Sequence, residues 1–219
     1  MTPADEPCRA LRKDAARNRE RVLEAARELF AVRGLEATLN DVAHHANVGV
    51  GTVYRRFATK EELLEAIFED GIEQIACLAE SALQQDDSWA GFVWFVEQLC
   101  ELTATDRGLR EMVYSKAYGS YRVDCARLRL DPPISKLVER ARADGHLRSD
   151  VEPTDMPIVS LLAGTVGEWA GHVEPELWRR YVALLLDGMR RRDGQSRLAV
   201  NALEDVQMDA AMRGWHPAG

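Results

Sequence analysis

Apolar residues recur with a helical period along almost the whole chain, and this pattern limits the possible fold more than any other feature. From Asn18 onward they follow the i, i+3, i+4, i+7 spacing of an amphipathic helix. We find no segment with the period-two alternation of a strand and no internal repeat. With 219 residues and 46% hydrophobic content, the chain suits one large domain or a small domain joined to a larger one. The sequence therefore predicts an all-α fold.

Capping signals divide this pattern into separate helices. Gly34 suits the left-handed position just past a helix, and two Thr-to-acid pairs have the three-residue spacing of a capping box. These pairs are Thr38 with Asp41 and Thr59 with Glu62. They predict short helices over residues 39–46 and 50–57, followed by a long helix that continues past Gly71.

The charge of the chain is unevenly distributed. The net charge of −8 argues against a nucleic-acid partner when taken whole. Residues 9–60, however, hold eleven Arg or Lys against six Asp or Glu, whereas residues 61–219 hold seventeen against twenty-eight. A basic head on an acidic body is typical of a DNA-binding module fused to another domain. A solvated amino-terminal helix explains the charge equally well.

Other classes of protein find little support. The first residues lack an apolar signal-peptide core, and no run approaches the roughly 18 apolar residues of a membrane span, so we expect a soluble, cytoplasmic protein without a membrane partner. The cysteines lack metal-ligand spacing; they are Cys8, Cys77, Cys100 and Cys125. Asp86 and Asp87 resemble an aspartate-rich metal motif, but a helix cap explains them. We therefore predict no metal, no cofactor and no enzymatic activity.

The stretch NVGVGTVYRRF, residues 47–57, allows two interpretations. A dinucleotide cradle needs a strand before its glycines and a third glycine, and a P-loop needs GxxxxGK[ST]; none of these is present. A short helix, a three-residue turn and a second short helix instead form a helix-turn-helix. Small residues at the start of the second helix keep its leading edge slim enough for a major groove about 12 Å wide.

Residues 17–64 resemble the DNA-binding domain of the TetR family of transcriptional regulators. The match covers about a quarter of the chain and follows the family's specific motif through the helix-turn-helix. The matching positions are Gly34, Thr38, Asp41-Val42-Ala43, Ala46, Val48-Gly49, Gly51-Thr52-Val53-Tyr54, Phe57, Thr59-Lys60-Glu61 and Leu63-Leu64. The chain departs from the motif at Asn47, where glycine is usual but Asn tolerates a left-handed turn, and at Arg56, where histidine is usual.

The resemblance implies roles for individual residues of this head. Contacts with backbone phosphates are implied for Thr38, Tyr54, Arg56 and Lys60. Contacts with bases are implied for Val50, Gly51, Thr52 and Arg55. Because Arg56 carries a permanent charge, we expect DNA binding to depend less on pH and more on salt. His44 and His45 are adjacent and lack metal-ligand spacing.

The same resemblance implies a larger helical body that dimerises and binds a small effector. We predict a flexible arm over residues 1–13, the helix-turn-helix domain over 14–60, the body over 61–192 and a tail or short helix over 193–219. Large or polar candidates for an effector pocket are Trp94, Tyr114, Tyr118, Glu168 and Trp169.

The segment 176–190 is apolar over more than one side of a helix and needs two packing partners. We predict that one partner is a second subunit across a symmetric interface; a buried central helix in a monomer is the alternative. Candidate interface residues are Leu161, Gly164, Trp178, Tyr181 and Leu185.

Taken together, these features predict a repressor that a small-molecule effector releases from a palindromic site on double-stranded DNA. A non-specific architectural DNA-binding protein and a helical enzyme acting on small molecules are the alternatives.

Overall fold

The computed structural model describes the backbone of residues 6–114 and 128–214 and the side chains of residues 18–111 and 128–212. Within these ranges it has ten α-helices and no strand, and Leu147 and Arg190 form an isolated β-bridge. The helices are α1 Glu6–Arg33, α2 Leu39–His45, α3 Val50–Tyr54, α4 Lys60–Leu83, α5 Ser88–Thr105, α6 Arg107–Tyr114, α7 Asp131–Ala143, α8 Asp155–Ala170, α9 Leu177–Met189 and α10 Asp205–Gly214. The predicted all-α fold is confirmed. None of the described helices combines the length and apolar character needed to cross a membrane.

A first hydrophobic core joins α1, α2 and α3 to the first half of α4. Val22 and Phe30 of α1, Val42 of α2 and Val53 of α3 are buried in it. The first half of α4 contributes Leu63, Leu64, Ile67, Phe68 and Ile72. The predicted domain boundary at residue 60 therefore runs through this core, because its last members lie twelve residues further along the chain.

The ends of the chain also carry helices. α1 begins at Glu6, inside the segment 1–13 for which the sequence predicts an arm. Within residues 193–219, where a tail or short helix is expected, α10 spans Asp205–Gly214. The division into domains itself stays a prediction.

A second core is built by α5, α7, α8 and α9 around the second half of α4. Two glycines of α8 allow its close approach to α5. A Cβ on Gly164 would lie 3.0 Å from the carbonyl oxygen of Thr103, and one on Gly167 would lie 3.0 Å from that of Ala104. Gly164 therefore serves packing inside the protomer, and not the subunit interface for which the sequence suggested it.

α6 connects the two cores, at a place we term the α1–α6 junction: Phe30, Gly34, Leu35, Gly108 and Glu111. Gly34 has the predicted left-handed backbone, with a φ of 64°. The buried carboxylate of Glu111 accepts hydrogen bonds from the Leu35 amide at 2.7 Å and from Arg107 Nε at 2.6 Å. Gly108 lies against the backbone of Phe30, and a Cβ there would be 2.9 Å from the Phe30 carbonyl. The end of α1 is thus fixed to the body by close backbone contact and a buried charge.

Residues 190–198, here called the carboxy-terminal strap, lie along the loop between α7 and α8. The amide of Arg148 donates to the Met189 carbonyl at 3.1 Å, and the amide of Arg191 donates to the His146 carbonyl at 2.8 Å. Asp150 accepts from the Leu198 amide at 2.7 Å and pairs with Arg148 at 2.6 Å. The hydrogen bonds from Arg148 and Leu198 hold the pKa of Asp150 well below its usual range.

We expect the Asp150 carboxylate to keep the strap bound to the α7–α8 loop even at unusually low pH. Because its pKa is lower in the folded chain than in the unfolded one, its stabilisation is fully present above the unfolded value of about 3.9 and is lost only as pH falls through the folded value. In the parent chain, hydrogen-exchange protection of the Leu198 amide should therefore persist at pH 4. In the Asp150→Asn variant it should be lost even at neutral pH. The control is Asp144→Asn, because it removes an exposed carboxylate from the same loop. Equal protection in both variants would contradict the prediction.

Candidate nucleic-acid interface

The turn between α2 and α3 has the geometry that a helix-turn-helix requires. Asn47 adopts a left-handed backbone with a φ of 50°, which confirms that Asn can replace the usual glycine here. The Val48 amide donates to the Ala43 carbonyl at 3.0 Å. The backbone of Gly49 is extended, and Gly49 is the residue just before α3. On the opposite side, Arg21 of α1 donates to the Ala46 carbonyl at 2.9 Å and holds the turn against the first core.

One face of α3 is buried and the other is open to solvent. Val53 and Phe57 pack in the first core, as predicted. The open residues of α3 and the two arginines that follow it are here called the α3 strip. They are Val50, Gly51, Thr52, Tyr54, Arg55 and Arg56, of which Thr52 is half-buried and the others are exposed. α3 ends at Tyr54, earlier than the predicted residue 57, because the Arg56 amide bonds the Val53 carbonyl only three residues back, at 2.9 Å, and the Ala58 amide bonds the Glu62 carboxylate.

The strip is open where a ligand would have to approach. Val50 is 46% exposed and Tyr54 is 48% exposed, so large side chains on it lack a partner in the core. A Cβ added to Gly51 would meet no atom within 4 Å. Packing in the protein therefore does not require glycine at this position. The two adjacent arginines add positive charge to the same surface.

The two predicted phosphate contacts outside α3 are occupied by other bonds. The Thr38 hydroxyl accepts from the Asp41 amide, and the Thr38 amide donates to the Asp41 carboxylate at 2.8 Å, which completes the predicted capping box. The Thr38 hydroxyl also donates to this carboxylate, at 2.6 Å. Hydrogen bonds from Thr38 lower the pKa of Asp41. Lys60 Nζ donates to the Leu35 carbonyl. The second predicted box is incomplete, since Glu62 accepts from the Ala58 amide and not from its own cap residue.

The structure brings together little of the predicted effector pocket. Trp94 is half-buried against the second core, and Glu168 accepts from Arg110 at 3.0 Å. Trp169 is 76% exposed and faces solvent, because it lies on the outer side of α8. The side chain of Tyr114 and the whole of Tyr118 lie outside the described residues. The pocket stays a prediction, without Trp169 as an interior residue.

The predicted interface residues separate into two groups. Trp178 is 1% exposed and packs with Val182 and Leu186 on the inner face of α9, so it cannot reach a second subunit. Tyr181 is exposed, and Leu161 and Leu185 are half-buried. Other exposed apolar residues, which were not predicted for the interface, also lie on α8 and α9. These are Ile158, Leu162, Trp169 and Leu184, which with Tyr181 we call the α8–α9 face.

Potential metal and thiol sites are limited. Among the described residues no group of His, Cys, Asp and Glu side chains could hold a metal ion. His45 instead pairs with Glu28 at 2.8 Å. Cys77 is exposed, and burial raises the pKa of the Cys100 thiol to about 12. Asp87 caps α5 through the amides of Trp89 and Ala90, in agreement with its predicted role.

Family profiles match both parts of the chain. Residues 22–67 match the profile described as bacterial regulatory proteins, tetR family. Residues 88–191 match the profile of the carboxy-terminal domain of SbtR-like transcriptional regulators. Curated helix-turn-helix transcriptional regulators of Staphylococcus aureus are 36% identical over 64 residues, which is 29% of this chain and 35% of theirs. The alignment thus spans about a third of the length of these relatives.

Solved structures extend the similarity to most of the chain. A TetR transcription regulatory protein from Mycobacterium vanbaalenii is 31% identical; the match covers 83% of this chain and 99% of that one, with a TM-score of 0.57. A TetR transcriptional regulator from Streptomyces coelicolor is 25% identical over 78% of this chain and 98% of that one, also with a TM-score of 0.57.

Proposed function

The chain belongs to the TetR family of bacterial regulatory proteins, and we propose on this premise that it is a cytoplasmic, homodimeric repressor. Its heads bind a palindromic site on double-stranded DNA, and a small-molecule effector bound in the body releases them. The proposal rests above all on the α3 strip, where apolar, hydroxyl and cationic side chains share one open face. The positive charge of the head meets the phosphate charge of DNA locally, despite the acidic body.

Bases are read by the start of the strip. Val50 is positioned to contact a thymine methyl group, whereas Thr52 and Arg55 offer hydrogen-bonding groups to base edges. Thr52 and Arg55 already contact each other at 3.3 Å, which holds the arginine close to the helix. Gly51 leaves room for the backbone of α3 to approach the groove.

Phosphates are held mainly by Tyr54 and Arg56. Their hydroxyl and guanidinium groups are exposed and suit contacts that position the head without reading sequence. Lys60 gives one of its three N–H donors to Leu35 and keeps two for a phosphate. The hydroxyl proton of Thr38 is committed to Asp41, so we assign Thr38 a weaker, accessory role at this surface.

Two heads must lie about 34 to 36 Å apart to enter successive major grooves on one side of the duplex. An effector lowers DNA affinity only as far as it prefers a dimer with another spacing. The α8–α9 face, continuous with the half-buried Leu161 and Leu185, supplies the apolar surface for the subunit contact that sets this spacing.

Operator binding by variants of the strip tests the proposal. In a gel shift with the DNA upstream of the chain's own gene, Arg56→Ala should weaken binding about tenfold or more, and Tyr54→Phe by a smaller factor, since each loses a phosphate contact. Lys136→Ala, which removes an exposed cation from α7, should bind like the parent chain. Unchanged binding in both strip variants would refute the phosphate roles. Equal competition by random DNA would favour an architectural protein.

A Gly51→Ala variant separates folding from DNA binding. Alanine should raise the free energy of unfolding by about 0.5 to 1 kcal/mol, because it favours the helix and its Cβ meets no protein atom within 4 Å. Operator affinity should nevertheless fall, because the added methyl group lies on the surface that approaches the groove. Denaturant unfolding and gel shift on the same preparation check both expectations. Parent-like operator affinity would mean that Gly51 does not approach the DNA.

A further inference from the structure

A cleft of about 350 Å³ lies between the α7–α8 loop and the carboxy-terminal strap. This volume is at the lower end of the range for small-molecule sites. Five of its twelve lining residues are arginines, although residues 61–219 as a whole are acidic. The cleft is therefore a local concentration of positive charge outside the DNA-binding surface.

The cleft is far from the α3 strip. Arg140, near the end of α7, donates to the carbonyls of Leu83, the last residue of α4, and of Gln85 just past it. Arg142, two residues further along α7, lines the cleft. The head lies at the opposite end of α4, whose 24 residues span about 36 Å. A ligand in the cleft would thus not touch the DNA-binding residues.

The walls of the cleft are fixed by the strap. Arg148 pairs with Asp150 and also donates to the Ser196 carbonyl at 2.8 Å. Gln195 Nε2 donates to the Gly188 carbonyl at 3.1 Å. The bond from Arg148 to Ser196 joins positions 48 residues apart in the chain, so the arginines are held on a formed surface.

The arginines of the cleft differ in their partners. Arg148 is neutralised by Asp150, Arg142 pairs with Glu152 at 3.1 Å, and Arg192 pairs with Asp187. Within the described part of the chain, the guanidinium groups of Arg191 and Arg197 have no hydrogen-bond or ion-pair partner. The Nε of Arg142 is buried and likewise lacks an acceptor there. Buried donors without acceptors are costly.

We propose that this cleft binds a phosphate group, either free or carried by a small molecule. A guanidinium presents its N–H donors in a planar fork that matches the oxygens of a phosphate. Arg191 and Arg197 provide the uncompensated charge, and two residues with hydroxyl groups, Ser149 and Ser196, line the same cleft. Asp193 also lines the cleft. Because its carboxylate would repel a phosphate oxygen, the ligand must bind with its oxygens away from Asp193. Phosphate, with up to two charges near neutral pH, is favoured over chloride.

The test is calorimetric titration of the full chain with inorganic phosphate and, separately, with glycerol phosphate, at an ionic strength held constant with chloride. Both anions, or one of them, should bind, and Arg191→Gln combined with Arg197→Gln should weaken that binding about tenfold or more. Lys136→Gln and Arg56→Gln, which remove exposed cations elsewhere, should leave it unchanged. Binding of glycerol phosphate alone would identify the group as part of a larger ligand.

Several results would overturn the proposal. These are no binding of either phosphate compound, equal binding in the double variant, loss of binding in Arg56→Gln, or binding of succinate in place of phosphate. Because Arg191 and Arg197 are exposed and unpaired within the described residues, circular dichroism should show the double variant folded. A single Arg191→Lys variant, which keeps the charge without the fork, should bind with intermediate affinity.

Discussion

Replacing Gly108 by alanine should destabilise the folded protein by about 2 to 3 kcal/mol, the cost of overpacking a tight contact. A Cβ at this position would lie 2.8 Å from Phe30 Cβ and 2.9 Å from both its carbonyl carbon and oxygen. The obstacle is mostly backbone, so α6 and α1 can make room only by moving apart. That movement would also strain the bond between Glu111 and the Leu35 amide, which is buried.

Denaturant unfolding measures this effect, with Gly188→Ala as the matched variant. Gly188 lies in α9, and a Cβ there would meet no atom within 4 Å, so alanine should be neutral or slightly stabilising. Operator binding by folded Gly108→Ala should weaken as well, since the junction orients the head. Stability of Gly108→Ala within error of the parent chain would show that α6 does not pack on α1 in this way.

Combining Trp169→Glu with Leu184→Glu should separate the dimer into folded monomers. Both side chains are largely exposed in the protomer, at 76% and 58%, so the change should not disturb the second core. In a dimer, four introduced carboxylates would be buried at the interface, which is unfavourable without partners. Operator affinity should fall about 100-fold or more, because each head would then bind alone.

Sedimentation velocity gives the oligomeric state, and the gel shift gives the affinity. Val206→Glu on α10 is the matched control, as Val206 is equally exposed at 79% but lies outside the α8–α9 face. It should stay dimeric. A dimer that persists in the double variant would place the subunit contact on another surface.

The head could be predicted almost entirely from sequence because its signals are local. Gly34 and Asn47 both have the left-handed backbone expected at their positions, and Thr38 forms its capping box with Asp41. Such features depend on residues three or four apart. The extra length predicted for α3 was wrong because the Arg56 amide bonds the carbonyl three residues back and the Ala58 amide bonds the Glu62 carboxylate, details that the side-chain pattern does not encode.

The body was harder to predict because its helices are apolar on more than one side. On such a helix the pattern cannot tell which face meets its own core and which meets solvent. Trp178 is therefore found inside and Trp169 outside, the reverse of their predicted places. The cleft beside the strap was missed for another reason, since it forms only when residues near 148 meet residues near 191.

The two cores share α4 without interruption, and this has a consequence for engineering. The first core takes residues of α4 up to Ile72, and the second begins at Ile75. A chimaera that joins a foreign DNA-binding head to this body at residue 60 would divide the first core, so that its packed side chains would come from two different parent proteins. A junction between Ile72 and Ile75 keeps all the packed side chains of each core within one parent sequence.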